Sequence, residues 1–113
     1  MRCFLLPLVL LAACSKGPEA DLPSISEARS LAAEWALVND QAAQGKLTST
    51  YVETMRKSVR EQLQTVAQSL TQPQSDYGHE ITAVLRERDD ASPQALRSHA
   101  SKLKQIEDSL ESA

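Results

Sequence analysis

The sequence predicts an all-α fold, a small helical bundle of three long helices and one short helix that opens with an αα-hairpin. Three observations carry this expectation. Apolar residues recur in steps of three and four through residues 24–113, and no strand-like alternation survives a count there. Cap and stop residues fall where each apolar stripe begins and ends. Aromatic residues are 4% of the chain, with only three Gly and five Pro, too few for a fold built from many tight turns and packed strands. At 113 residues there is room for one small domain, and 42% apolar residues suffice for its core.

The first helix is expected from Ser24 to Gln44. Ser24-Ile25-Ser26-Glu27 reads as a capping box, with Ser24 as N-cap and Glu27 at N3. Ile25, Ala28, Leu31, Ala32, Trp35, Val38 and Ala42 follow on one face, and the frequent Ala permits close approach of a neighbour. Gly45 supplies the stop. The second helix is expected from Ser49 to Thr71, capped by Thr48 or by a Thr50–Glu53 box. Its stripe is Val52, Met55, Val59, Leu63, Val66 and Leu70. Only Gly45, Lys46 and Leu47 separate the two helices, so they fold back antiparallel. Gln72-Pro73-Gln74-Ser75 breaks the pattern. A short helix is expected over Asp76 to Arg88, with Ile81, Val84 and Leu85 inward and a first turn weakened by Gly78. Ser92-Pro93 then starts the last helix, Ser as N-cap and Pro at N1. Leu96, Ala100, Leu103, either Ile106 or Glu107, and Leu110 carry it to about Glu111.

The N-terminus reads as an address. Residues 1–14 are MRCFLLPLVLLAAC, with Arg2 as a positive start, an apolar stretch from Phe4 to Leu11, and small residues before Cys14. The stretch is too short to span a bilayer as a stop-transfer helix. Leu11-Ala12-Ala13-Cys14 resembles the bacterial lipobox. That resemblance implies a diacylglycerol group on the Cys14 thiol and cleavage by signal peptidase II, which leaves Cys14 as the lipidated N-terminus. By resemblance to enterobacterial sorting, Ser15 rather than Asp after the lipidated Cys implies the outer membrane, with the domain facing the periplasm. Two or three acyl chains hold far more firmly than one, at about 0.8 kcal/mol per buried methylene. Residues 1–13 are then a cleaved signal peptide, residues 14–23 the lipidated Cys and a tether, and residues 24–113 the helical domain. The tether Ser15 to Pro23 has little apolar content to support folding.

A second resemblance covers Leu37 to Tyr51. There Gly45-Lys46-Leu47-Thr48 between two helices is similar to the hairpin of SHOCT-type short helical modules. It departs from them at Ser49-Thr50, where an acidic residue is usual, and it implies architecture alone. As a whole the chain resembles small helical lipoproteins.

Charge and motifs narrow the function. Twelve Lys and Arg stand against fifteen Asp and Glu, and loss of Arg2 with the signal peptide leaves net −4. Nucleic acid is not an expected partner, because neutralising phosphates requires a basic surface. Both cysteines, Cys3 and Cys14, precede the domain, so no disulfide framework or thiolate metal site is expected in it. His79 and His99 lie in no HxxxH or HExxH arrangement, so they are not expected to gather a metal with Glu80 or Asp76. No GxSxG or SxxK motif is present, Gly is too scarce for a phosphate loop, and Asp89-Asp90 reads as a solvated turn. No cofactor and no enzymatic activity are expected.

The candidate interaction residues are Tyr51, Arg56, Lys57, Arg60 and Tyr77, beside Cys14 for lipidation. Arg56 and Arg60 lie one turn apart and form a basic cluster with Lys57. It fits an acidic partner or anionic headgroups, although Glu53 and Glu61 nearby favour a plain solvated face. Trp35 falls on the apolar stripe and is expected in the core. Tyr51 is expected to pack in the hairpin, with exposure as a partner anchor the alternative. Tyr77 is expected to be exposed in the loop before the third helix. The expected function is that of a lipid-anchored envelope protein that acts by binding another envelope protein or itself. The alternative is an inhibitor or immunity-type lipoprotein that presents the Gln72–Gly78 loop to a periplasmic hydrolase.

Overall fold

Helix starts in this chain are set by proline and by short polar caps. The computed structural model describes residues 17–113, so the lipobox, Cys14 and the start of the tether lie outside the described residues. A 3-10 helix, Pro18–Asp21, leads directly into α1, Leu22–Ala43. It is followed by α2, Ser49–Gln68, then α3, Asp76–Leu85, and α4, Pro93–Glu111. The described residues are thus all-helical, with three long helices and one short one.

The expected Ser24–Glu27 capping box does not form. Pro23 sits in the first turn of α1, where its fixed φ and missing N–H are tolerated. The helix therefore begins before Ser24, whose hydroxyl meets that of Ser69 at 3.2 Å. Six residues read as tether, Pro18 to Pro23, belong to the fold.

The other starts follow the sequence. Thr48 accepts the Tyr51 N–H at 3.2 Å and begins α2. Ser92 accepts that of Ala95 at 3.1 Å, with Pro93 next to it. Gly45 closes α1 at φ 71°, the left-handed conformation that favours glycine. Ser75 caps α3 by accepting the Gly78 N–H. Gly78 is required there rather than merely tolerated, because a Cβ would lie 2.3 Å from the Pro73 carbonyl oxygen.

Two helix ends fall short of expectation because their backbone groups are engaged elsewhere. α2 stops at Gln68 rather than Thr71, whose N–H donates to Asp21. α3 stops at Leu85 rather than Arg88, and Arg60 takes the carbonyls of Leu85 and Glu87.

α1 is the central element. α4 runs antiparallel along it in the largest interface of the fold, tied by Arg29–Glu107 at 2.9 Å toward one end and Arg97–Asp40 at 3.9 Å toward the other. α2 packs on α1 as the hairpin partner, and α3 packs on both α2 and α4. Ala28, Ala32 and Ala36 are fully buried on α1 and let its neighbours approach closely. Val59 and Leu63 from α2, Ile81 and Val84 from α3, and Leu96 and Leu103 from α4 complete the core. Each such Leu, Ile or Val contributes about 1.5–3 kcal/mol relative to exposure. An exposed pair such as Lys104–Asp108 contributes about 0–1. The stripes therefore hold the bundle, and the surface charges do not.

Candidate interaction site

Polar side chains organise both ends of the bundle. At the end where the chain enters, Asp21 is 1% exposed and its carboxylate accepts four hydrogen bonds. They come from the Tyr77 hydroxyl at 2.6 Å, the Thr71 N–H at 2.9 Å, the Thr71 hydroxyl at 3.0 Å and the Gln72 N–H at 3.2 Å. Burial alone raises a carboxyl pKa, but these donors outweigh it and hold Asp21 below its ordinary value. Tyr77 shifts upward, by burial and by the adjacent carboxylate. This corrects the expectation for Tyr77, which is 3% exposed and lies in the first turn of α3. The Gln72–Gly78 loop consequently presents no tyrosine to a hydrolase.

The opposite end carries the hairpin turn. α1 has 22 residues, so about 33 Å separates its two ends at 1.5 Å per residue. Here the α3–α4 loop is strapped over Trp35. The indole N–H donates to the Asp89 carbonyl at 3.0 Å, and the Asn39 amide donates to the carbonyls of Asp89 and Ala91. Arg60 donates to the carbonyls of Leu85 and Glu87 and to the Asp89 carboxylate at 2.8–2.9 Å. Its guanidinium lies 4.8 Å from the centre of the Trp35 ring, within cation–π range. Arg60 is thus a structural strap, which corrects the expectation of a solvated face neutralised by Glu53 and Glu61.

Arg56 is held differently. Its Nε–H donates to the Asn39 side-chain oxygen at 2.9 Å. Among the described ion pairs it has no carboxylate partner. It borders three shallow clefts of about 260–290 Å³. One is lined by charged residues, Glu53, Lys57, Arg60 and Asp89. The other two combine apolar walls with one carboxylate each, Leu47 and Val52 with Glu53 in one, Ala43, Ala91 and Pro93 with Asp90 in the other, and Ala42 is shared. Lys57 is exposed, as a solvated face predicts. Tyr51 is 49% exposed at the start of α2 and does not pack into the hairpin; on α1, Leu37 is 55% exposed. The fold thus gathers Arg56, Lys57 and Arg60 at one end and sends Tyr77 to the other.

A third cluster lies between them. His99 on α4 bonds Glu80 through Nδ1 and Glu87 through Nε2, the latter at 2.7 Å. Two carboxylates on the two ring nitrogens fit an imidazolium, which donates from both. Burial works to lower the His99 pKa, but the bonds to Glu80 and Glu87 and their charges outweigh it and raise it. A raised folded pKa gives stability that is present in full below the unfolded value of about 6.5 and is lost as pH rises through the folded pKa. Thermal melts from about pH 6 to pH 9 are expected to fall for the native chain and to stay flatter for His99→Gln. Equal slopes would contradict the assignment.

The two ring nitrogens point to opposite carboxylates, so this trio does not converge on one ion. Among the described residues no three His, Cys, Asp or Glu side chains form a group able to hold a metal. No helix among them is long and apolar enough to cross a membrane. Comparison of the chain with protein families, curated proteins and solved structures gives no match.

Proposed function

We propose that this chain is a bacterial lipoprotein anchored through Cys14 in the outer membrane, facing the periplasm, and that it acts by binding another envelope protein. The observation that carries the reading is the leader, where Arg2, the apolar stretch and Leu11-Ala12-Ala13-Cys14 occur in the order and spacing of a lipobox. The fold gives it a direction. Only Ser15, Lys16 and Gly17 separate Cys14 from the 3-10 helix, about 10 Å of chain at full extension. Asp21 fixes that entry point to the α2–α3 loop and to α3. The anchored end is therefore the Asp21 end, and the hairpin turn with Tyr51 and Arg56 is the end remote from the anchor.

The test is photo-crosslinking in a Gram-negative host that expresses the full chain, with the crosslinker in turn at Tyr51, Leu37 and Lys57 and, separately, at Gln72 near the proposed anchor. The expected result is one adduct of defined mass from Tyr51 and none of that mass from Gln72. An adduct of twice the chain mass identifies self-association, the other partner type. Absence of any adduct from Tyr51, Leu37 and Lys57 alike would contradict a protein-binding role for this end.

A further inference from the structure

We propose that Arg56 is a receptor for a protein carboxylate, an acidic side chain flanked by apolar residues on the partner. The proposal rests on the protein-binding reading above and names the chemistry of its partner. Arginine presents its donors in a rigid planar fork, and the most favourable ligand for an unoccupied fork is a carboxylate held by two parallel bonds. Three features prepare Arg56 for that role. Its Nε–H is committed to the Asn39 oxygen, and the Asn39 amide nitrogen is itself committed to the carbonyls of Asp89 and Ala91. The guanidinium plane is thus set from behind, with the two terminal nitrogens left for a ligand. None of the described acidic side chains pairs with it. Asp89, which shares a cleft with it, is paired with Arg60 instead.

The surroundings select the ligand. Ala42, Val52, Ala91 and Pro93 line two of the clefts that Arg56 borders, so an apolar flank on the ligand removes apolar surface from water. Lys57 adds a positive charge at the rim. Of the carboxylates that line these clefts, Asp89 is paired with Arg60 and Asp90 with Arg88, which leaves Glu53 to oppose an acidic ligand. Charge alone also fits lipid headgroups. The membrane that carries the anchor lies at the Asp21 end, however, so the observations favour a protein ligand.

The experiment follows the Arg56 Nε–H and the Ala42 and Ala91 amide signals by NMR in the mature lipoprotein in neutral detergent micelles. The probe is the peptide acetyl-Leu-Glu-Glu-Leu-Leu-Glu-amide, compared with the same peptide carrying Gln for Glu. The expected result is saturable shifts centred on Arg56, weaker by about tenfold or more with the Gln peptide and with Arg56→Gln. Arg56→Lys, which keeps the charge and loses the fork, is expected to weaken binding while the spectrum stays folded. Equal response to the two peptides, shifts centred away from Arg56, or no saturation at roughly millimolar peptide would overturn the proposal. So would larger shifts of the same signals with vesicles of phosphatidylglycerol than with the acidic peptide. A Cys14 that carries no lipid would remove the envelope reading and leave this result standing, so the two failures are distinguishable.

Discussion

Replacing Asp21 with Ala is expected to destabilise the fold by about 3 kcal/mol or more, because it leaves a buried tyrosine hydroxyl and two backbone N–H groups without their acceptor. Thermal melting is expected to fall by more than about 10 °C in a domain of this size. Hydrogen exchange should rise first at Thr71 and Gln72, the two backbone donors that the carboxylate holds. Tyr77→Phe removes one of the four bonds and is expected to cost less. The pH dependence has the opposite sign to that of His99. A carboxyl held below its ordinary value contributes stability that is present above the unfolded pKa and is lost as pH falls through the folded one. The Asp21→Ala chain should therefore lose less stability than the native chain between about pH 4 and pH 2. Unchanged melting in Asp21→Ala would show that the entry segment is not latched to the bundle.

Arg60→Ala is the second large effect. It removes three hydrogen bonds at 2.8–2.9 Å and the cation over Trp35. A cost of about 2–4 kcal/mol is expected, since bonds from a charged donor are worth more than neutral ones. The readout is specific, because Trp35 is the one tryptophan in the chain. Release of the Asp89 carbonyl should expose the indole, shift its fluorescence to the red and make it more accessible to iodide. Arg60→Lys keeps the charge but cannot reach three acceptors at fixed angles, so it should recover only a minor part. A full recovery by Lys would mean that charge alone, and not the fork, holds the loop.

Local signals in the sequence foretold the local structure. Gly45, Thr48 and Ser92-Pro93 stop or start helices through bonds within three or four residues, and the α2 stripe is buried at Val59, Leu63 and Val66. What was not legible depends on partners distant in sequence. Tyr77 looks like a loop aromatic until Asp21, 56 residues away, is placed beside it. Arg60 looks neutralised by its helical neighbours, but its partners are the last residue of α3 and two residues of the loop after it, more than twenty positions on. The start of α1 departs from the capping-box pattern for a different reason. Ser24 and Glu27 match a capping box, but Pro23 already marks the first turn and places the start before them. Tyr51 adjoins the inward Val52, but adjacent helical positions point about 100° apart, and only Val52 faces inward. The His99 clamp had no signature, because Glu80 and Glu87 come from another helix and a loop.

The proposed anchor at Cys14 is the central claim, since a lipid there would set which end of the bundle faces the membrane and which is left for a partner. The direct measurement is the intact mass of the full-length chain from the membrane fraction of a Gram-negative host, beside that of Cys14→Ser. The account predicts a product that starts at Cys14 and carries the added mass of a diacylglycerol group, with neither cleavage before residue 14 nor lipid in the variant. A soluble product of unmodified mass from the native chain would contradict it.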